Sequence, residues 1–462
     1  MSARPLQSAR AIAAETLQQF DPSRDYAGTI LDRLLSQTNE RQRATDLVYG
    51  TIRHLFAIDA VIGRFSGRRP ERIAPPLLSI IRIGVYELAY SPATPTYSIV
   101  SEAVNNARHA GGRKQTGFVN AVLREIVRHI TNREVPLATS NPRRTLVRDV
   151  DAGCEFDTDF LPDPVVSLPD YLSTCFSLPA WLVREWLETF GPDQTRQICL
   201  GSNRRPSLYV RVNPLRTTAQ DLLGRFEQAG IKAEPVPNAI PDMLRMAGPH
   251  AVTELPGFSE GLFTVQDLSA SQAVRLLQPQ PGWTILDMCS APGTKTTQIA
   301  EMTHDSATIF ATDIDPKRLD RVQENITRLG LKSITILPYA QLEQGAVGPF
   351  DAILLDVPCS NTGVLARRVE ARYRLRPETI NDLAAAQRTL LEKAVTLLKP
   401  ASRICYSTCS IQEAENQQTA RDFLGARDQF HLMQEQLTLP SAQAFDHDGA
   451  YAALLGPAIP RG

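Results

Sequence analysis

Apolar residues recur at spacings of three and four through the first 130 positions, in six stretches: AIAAETLQQF, AGTILDRLLSQ, RQRATDLVYGTIRHLFAIDAVIGRF, PPLLSIIRIGVYELAY, IVSEAVNNARHA and TGFVNAVLREIVRHI. That period belongs to amphipathic helices, and clusters of Pro, Gly and Ser separate the stretches. Residues 1–130 are therefore expected to form an all-helical domain of about six helices. From 131 to 178 the periodicity fades into NPRRTLVRDVDAGCEFDTDFLPDPVVSLPD, acidic and proline-bearing, which reads as a linker or partly ordered insertion. Pattern returns in LPAWLVREWLETFG, SLYVRVNPL, TTAQDLLGRFEQAG and GLFTVQDLSASQAVRLL, a mixture of helix and strand that predicts a small α/β subdomain over 179–265. From 266 to 462 short apolar runs (TILDM, TIFATDID, ITIL, DAILLDVP, RICYSTCS) alternate with helical stretches. Such alternation predicts a mostly parallel sheet with helices on both faces and a ligand across the carboxyl ends of its first, second and fourth strands.

Composition narrows the class. The 462 residues carry a net charge of −1, and no run of about 18 apolar residues is present to span a bilayer. The opening MSARPLQSARAIAAE has no apolar core of the kind a signal peptide needs, so a cytoplasmic address is expected. Charge is uneven: residues 1–130 hold 17 Lys/Arg against 11 Asp/Glu, whereas 131–180 hold 4 against 8. The basic excess of the first segment suits a polyanion and suits a solvated helical surface about as well. The seven cysteines, Cys154, Cys175, Cys199, Cys289, Cys359, Cys405 and Cys409, are odd in number, scattered and without a C-x-x-C pair. Neither a disulfide framework nor a metal site is indicated, and reduced thiols are expected.

The stretch TILDMCSAPGTKTTQIA, residues 284–300, carries the first candidate chemistry. An apolar strand enters a loop of small residues and leaves in a helix, and the helix start offers unpaired N–H groups while Gly293, Ser290 and Ala291 admit close approach of a ligand. Lys295 follows Thr294 rather than Gly, which excludes a Walker loop, and no G-x-G-x-x-G is present. Asp313 ends the second strand where α/β nucleotide folds place a carboxylate against ribose hydroxyls, while Asp315 suits the cap of a helix beginning at Pro316. The fourth strand ends in DVPCSNTGVL, with Asp356, Pro358 and Cys359, and the fifth in YSTCS, with Cys409 just past its end. Two thiols at adjacent strand tips beside a ligand cleft point to reactive groups; Cys405, inside its strand, reads as packing.

These motifs carry a resemblance. LVYGTIRH, IRIGVYELAY and SEAVNNARHAGGRKQTGFVNAVLRE resemble the helical RNA-binding domain of NusB-like proteins. The linked order of CSAPGTK, DVPCS and YSTCS behind that domain resembles the bacterial RNA (cytosine-C5)-methyltransferases of the RsmB (Sun) type, over nearly the whole chain. The implied fold is a Rossmann-like S-adenosylmethionine-dependent methyltransferase domain over 266–462, preceded by an all-α NusB-like domain and the small α/β subdomain. The implied reaction moves a methyl group from S-adenosylmethionine to C5 of a cytosine in 16S ribosomal RNA. Cys409 would attack C6 as nucleophile, Asp356 would contact the base edge and the donor, and Cys359 would assist product release. Cys289, Ser290, Ala291, Pro292, Gly293, Thr294 and Lys295 would hold the donor's amino acid and sulfonium portion, and Asp313 its ribose.

Three departures are visible. Tyr339 stands about where the family carries an acid near the adenine and is expected to contact the donor there by stacking on or bonding to the adenine, Thr294 replaces a common second glycine, and Ala450 replaces an aromatic in DGAYAALL. RNA phosphates are expected at Arg108, Arg113, Lys114 and Arg124 in the front domain. A second basic set, Arg367, Arg368, Arg372, Arg374 and Arg376 with Tyr373, is expected beside the cleft. RNA is the expected partner, with no membrane and no metal, and a monomer is the expected state. The same motifs also suit a transfer RNA cytosine-C5 methyltransferase, or an RNA-binding assembly factor that has lost its activity.

Overall fold

The computed structural model describes residues 6–110, 112–345 and 347–457. The chain divides into two compact units, the first made of residues 1–204 and 365–375, the second of 205–364 and 376–462.

The first unit begins with helices Ala9–Gln19, Ala27–Leu34, Arg41–Arg53, Leu55–Phe65, Pro75–Tyr90, Thr96–Ala110 and Arg113–His129. The long third stretch of the pattern becomes two helices because His54 leaves helical geometry at φ −114°, ψ 24°. Burial holds the His54 imidazole well below its ordinary pKa, and its ring stacks on Tyr90 at 3.9 Å. Apolar faces of these helices meet in cores that include Ile58, Ile62, Ile81, Leu88, Val119 and Leu123.

The expected linker at 131–178 is folded. Strands Ile130–Pro136, Thr145–Val147 and Ala152–Phe156 form an antiparallel sheet with the last strand in the centre, and helix Leu168–Phe176 follows. Strands of three to seven residues are too short to show a period among so many acids. Those acids serve the segment itself: Glu155 accepts from the Asn141 N–H, Asp149 from the Ala152 N–H, and Asp159 pairs with Arg143 and Arg144. The helical span Ala180–Asn203, expected to open the subdomain at 179–265, belongs to the first unit and packs on Leu168–Phe176.

The arginine cluster is also placed differently. Residues 365–375 form part of the first unit, and Arg372 has no exposed surface. Its guanidinium donates to the carbonyls of Arg53, Phe176, Ser202 and Leu365 and to the Asn203 side chain. Arg372 is therefore a packing arginine and cannot contact RNA. Tyr373 donates to the Ile52 carbonyl, and Arg374 lies over the Tyr26 ring. Arg367 and Arg368 remain exposed.

In the second unit a four-stranded antiparallel sheet runs in the order Ala233–Pro235, Met243–Met246, Leu208–Val212, Phe263–Val265, backed by helix Ala219–Gln228. The larger sheet has strands β1 (Thr284–Asp287), β2 (Thr308–Ala311), β3 (Ile334–Ile336), β4 (Phe350–Asp356), β5 (Leu398–Thr408), β6 (Phe430–Thr438) and β7 (Ala450–Pro457). Its order is β3-β2-β1-β4-β5-β7-β6. The first five pair in parallel, and β7 joins β5 and β6 antiparallel. Helices α1 (Gln272–Leu277), α2 (Thr294–Met302), α3 (Pro316–Leu329), α4 (Tyr339–Glu343), α5 (Pro377–Val395) and α6 (Gln417–Gly425) accompany it. Apolar cores lie on its two faces, one around Ile285, Ile309 and Leu354 and the other around Leu286, Ile353 and Tyr406. Since β1 is flanked by β2 and β4, the chain reverses direction across the sheet there, and that is where such sheets hold ligands.

Candidate active site

At the end of β1 the apolar run stops at Asp287, and the loop turns back through Gly293 at φ +95°. The positive φ favours glycine, and a Cβ at that position would lie 3.1 Å from the Val322 side chain and 3.2 Å from its Cα, so α3 would also have to give slightly. Thr294, the departure from a second glycine, opens α2. Within the helix Thr296 donates to Asp287 Oδ2 at 2.6 Å. Burial, partly offset by that bond, raises the Asp287 carboxyl to about 7. Three buried polar atoms at these strand ends, Asp287 Oδ1, Ser290 Oγ and Thr312 Oγ1, have no hydrogen-bond partner among the described residues. Unpaired buried polar atoms are costly, so this loop is polar where a ligand completes it.

Asp313, just past β2, is 3% exposed. It accepts from the Ala291 N–H at 3.3 Å and the Asp315 N–H at 3.1 Å, and Arg318 pairs with it at 3.1 Å. Asp315 instead accepts from the Lys317 N–H and caps α3, which separates the two acids as the pattern suggested. The next residue, Ile314, is 76% exposed, an apolar surface beside Asp313 that strand periodicity did not single out. Tyr339 opens α4 and makes other contacts: its hydroxyl accepts from Lys393, whose ammonium lies 4.3 Å from the ring centroid.

The tips of β4 and β5 carry the remaining groups. Lys295 Nζ lies 2.6 Å from Asp356 Oδ2, and Ser407 Oγ donates to Asp356 Oδ1 at 2.9 Å. Burial disfavours the Lys295 ammonium, but the adjoining Asp356, with help from Cys409 and Asp287, outweighs it and holds the pKa above the ordinary lysine value. Cys359 and Cys409 bring their sulfurs to 2.9 Å, and Cys409 Sγ lies 3.3 Å from Asn361 Oδ1. Gly363 donates to the Cys409 carbonyl at 3.0 Å, and a Cβ there would sit 2.5 Å from the Gly449 carbonyl oxygen. The Cys409 contact, followed by burial, pushes the Cys359 thiol well above its ordinary pKa. Burial raises Cys289 and Cys405 as well. Those three stay thiols at neutral pH.

Beside Cys409 is a hollow of about 360 Å³, counting its mouth, lined by Asp267, Gln272, Lys295, Ser407, Asp448 and Tyr451 among others. Asp267 Oδ1 accepts from the N–H groups of Ser269 and Asp448, tying together the two segments that face it. Ala450, where an aromatic was expected, also lines the hollow. Sequence reading missed the Lys295–Asp356 pair, Ser407, Asn361 and this hollow, because the pairing depends on strand order and not on spacing. Arg108, Arg113, Lys114 and Arg124 are exposed at the ends and faces of the helices Thr96–Ala110 and Arg113–His129 in the first unit. Among the described residues no helix is long and apolar enough to cross a membrane, and no cluster of three metal-ligating side chains occurs.

The family described as 16S rRNA methyltransferase RsmB/F matches residues 274–455, the NusB family matches 7–128, and the ferredoxin-like domain of RsmF/B-like methyltransferases matches 178–253. The chain is 32% identical over 444 residues to a probable ribosomal RNA small subunit methyltransferase B of Synechocystis, covering 94% of this chain and 93% of the relative. It is 34% identical over 419 residues to the ribosomal RNA small subunit methyltransferase B of Serratia proteamaculans, covering 90% and 89%. The crystal structure of PH0851 superposes with a TM-score of 0.74 at 23% identity over 98% of this chain and 100% of that one, a likeness of fold.

Proposed function

The chain belongs to the family of RsmB/F 16S rRNA methyltransferases, and on that premise we propose that it methylates C5 of a cytosine in 16S ribosomal RNA through a covalent adduct on Cys409. The observation that carries this reading is the meeting of Cys409 and Cys359 at adjacent strand tips, 2.9 Å apart, beside the Lys295–Asp356 pair. Carbon 5 of cytosine is a weak nucleophile. Addition of a thiolate at C6 converts the ring into an enamine with electron density at C5, and Cys409 is the thiol that borders the hollow. Asp356 accepts from the exocyclic amine, and Lys295 donates to N3 as negative charge builds there. Cys359, held as a thiol 2.9 Å from Cys409, is placed to donate to the departing Cys409 sulfur as the Cys409–C6 bond breaks, while a solvent base takes the proton that C5 loses. A base inside a helix cannot reach such a hollow, so the target is one that leaves its stack readily, in a loop or bulge.

S-adenosylmethionine fits the residues at the β1 and β2 ends, where the unpaired Asp287 Oδ1, Ser290 Oγ and Thr312 Oγ1 meet the N-terminus of α2. When bound it supplies an electrophilic methyl group. Cys289 to Lys295 would hold its amino acid portion, and Asp313 with Ile314 would receive the ribose and adenine end. Tyr339, held by Lys393, is left outside this set. In an assay following tritiated methyl from the donor into 16S ribosomal RNA, Cys409→Ala is expected to abolish transfer while donor binding by calorimetry is retained. Undiminished transfer by that variant would overturn the nucleophile assignment. Loss of donor binding in the unaltered protein would favour an inactive assembly factor.

A further inference from the structure

We propose that Glu415 is the positioning residue that locks Cys359 and Cys409 into working register. The inference rests on the adduct reading above. Glu415 ends the short 3₁₀ turn Glu413–Glu415 and has no exposed surface. A buried carboxylate requires several donors to offset its lost hydration. The donors here come mainly from the two residues that follow the two cysteines. Ser360, next to Cys359, gives its N–H to Glu415 Oε1 at 2.8 Å and its hydroxyl to Oε2. Ser410, next to Cys409, gives its hydroxyl to the same Oε2 at 2.6 Å.

The clasp is reinforced from α5. Gln387 donates at 3.1 Å to Glu415 Oε1 and at 2.9 Å to the Pro358 carbonyl, just before Cys359. Thr362 completes it, since its hydroxyl lies 3.0 Å from Ser410 Oγ and accepts from the Ile411 N–H. One carboxylate thus spans the DVPCS and TCS segments through Ser360 and Ser410, does not line the hollow, and makes no hydrogen bond to either sulfur. The two loops leave different strands and are separated by 50 residues of chain, so β-pairing alone does not fix their tips beyond Asp356 and Ser407. Misplacement by about 1 Å at a reacting atom costs on the order of 10²-fold in rate.

The test uses the full-length enzyme, a small-subunit ribosomal RNA transcript substituted with 5-fluorocytosine, and S-adenosylmethionine. A fluorine at C5 cannot leave as a proton, so the Cys409 adduct persists and is counted on a denaturing gel. Glu415→Ala is expected to slow adduct formation about 10²-fold, with donor affinity by calorimetry unchanged within about twofold. Glu415→Gln should recover most of the rate, because its amide oxygen still accepts from the Ser360 N–H and its NH₂ donates to the serine hydroxyls after they rotate. Adduct formation at the unaltered rate in Glu415→Ala would overturn the proposal, as would parallel loss of donor binding, which marks general loosening. If Glu415→Ala does not fold, Ser360→Ala with Ser410→Ala removes the clasp while keeping the carboxylate. A fall of at least about tenfold with donor binding intact supports the lock, and an unchanged rate refutes it. Cys409→Ala in the same assay separates the two readings: an adduct formed without Cys409 sinks the nucleophile assignment itself.

Discussion

Two ion pairs in the second unit look alike by composition and differ in setting. Arg211 and Glu301 meet at 2.7 Å with side chains 0% and 2% exposed. Every remaining donor of Arg211 is taken up by Gln266, Thr297 or the Thr294 carbonyl. Lys295 and Asp356 meet at 2.6 Å with side chains 17% and 30% exposed, and Lys295 borders the hollow beside Cys409. The first pair braces the small sheet against α2, the helix into which the donor loop leads. The second keeps charge available where a base would enter. A pair whose donors are all consumed inside the protein holds shape, whereas one that faces a hollow has capacity left for a ligand.

That contrast is breakable. Arg211→Met leaves Glu301 buried without its partner and is expected to cost about 3–5 kcal/mol of unfolding free energy in urea; a loss under about 1 kcal/mol would remove the distinction between the pairs. Lys295→Met leaves Asp356 30% exposed and still bonded to Ser407, so it is expected to cost less stability than Arg211→Met, about 1–2 kcal/mol, while lowering the single-turnover methyl-transfer rate by about 10²–10³-fold. Equal damage to stability and rate would make Lys295 another brace.

Asp287 offers a pH-dependent version of the same question. Its carboxyl titrates at about 7 in the folded protein and lower when unfolded, so the folded state holds the proton more tightly. Stability is then expected to fall as pH rises from about 4 to about 7 and to level off above. Asp287→Asn lacks that loss and should gain roughly 2 kcal/mol on the unaltered protein between those limits, below a linkage ceiling of about 4 kcal/mol. Parallel stability curves for the two proteins would refute the buried ionisation. The smallest effect is expected on the surface: Arg368→Ala should change stability by less than about 0.5 kcal/mol and, if it meets a phosphate, reduce the salt slope of RNA binding by about one.

Which parts of this were legible in the sequence follows from what each depends on. The alternation from Thr284 onward gave the parallel sheet, and small residues before a helix gave the loop, because both are local patterns. Cys359 and Cys409 could be placed at adjacent strand tips because strand ends are local too. Arg372 was misread since its acceptors come from Arg53, Phe176, Ser202, Asn203 and Leu365, four of them remote in sequence, and no spacing reveals a buried guanidinium. The fold of 131–178 was hidden because its strands are short and its acids are satisfied by neighbours such as Asn141 and Arg144. Glu415 sits six residues past Cys409 in an ordinary turn, and only the structure reveals the four bonds converging on its carboxylate.

The central claim is that Cys409, and not Cys359, bonds to the base. Mass spectrometry of the peptides left on 5-fluorocytosine RNA after reaction with the unaltered enzyme tests it most directly. The account predicts a nucleotide adduct on the peptide containing Cys409; an adduct on the peptide containing Cys359, or none with active enzyme, would contradict it.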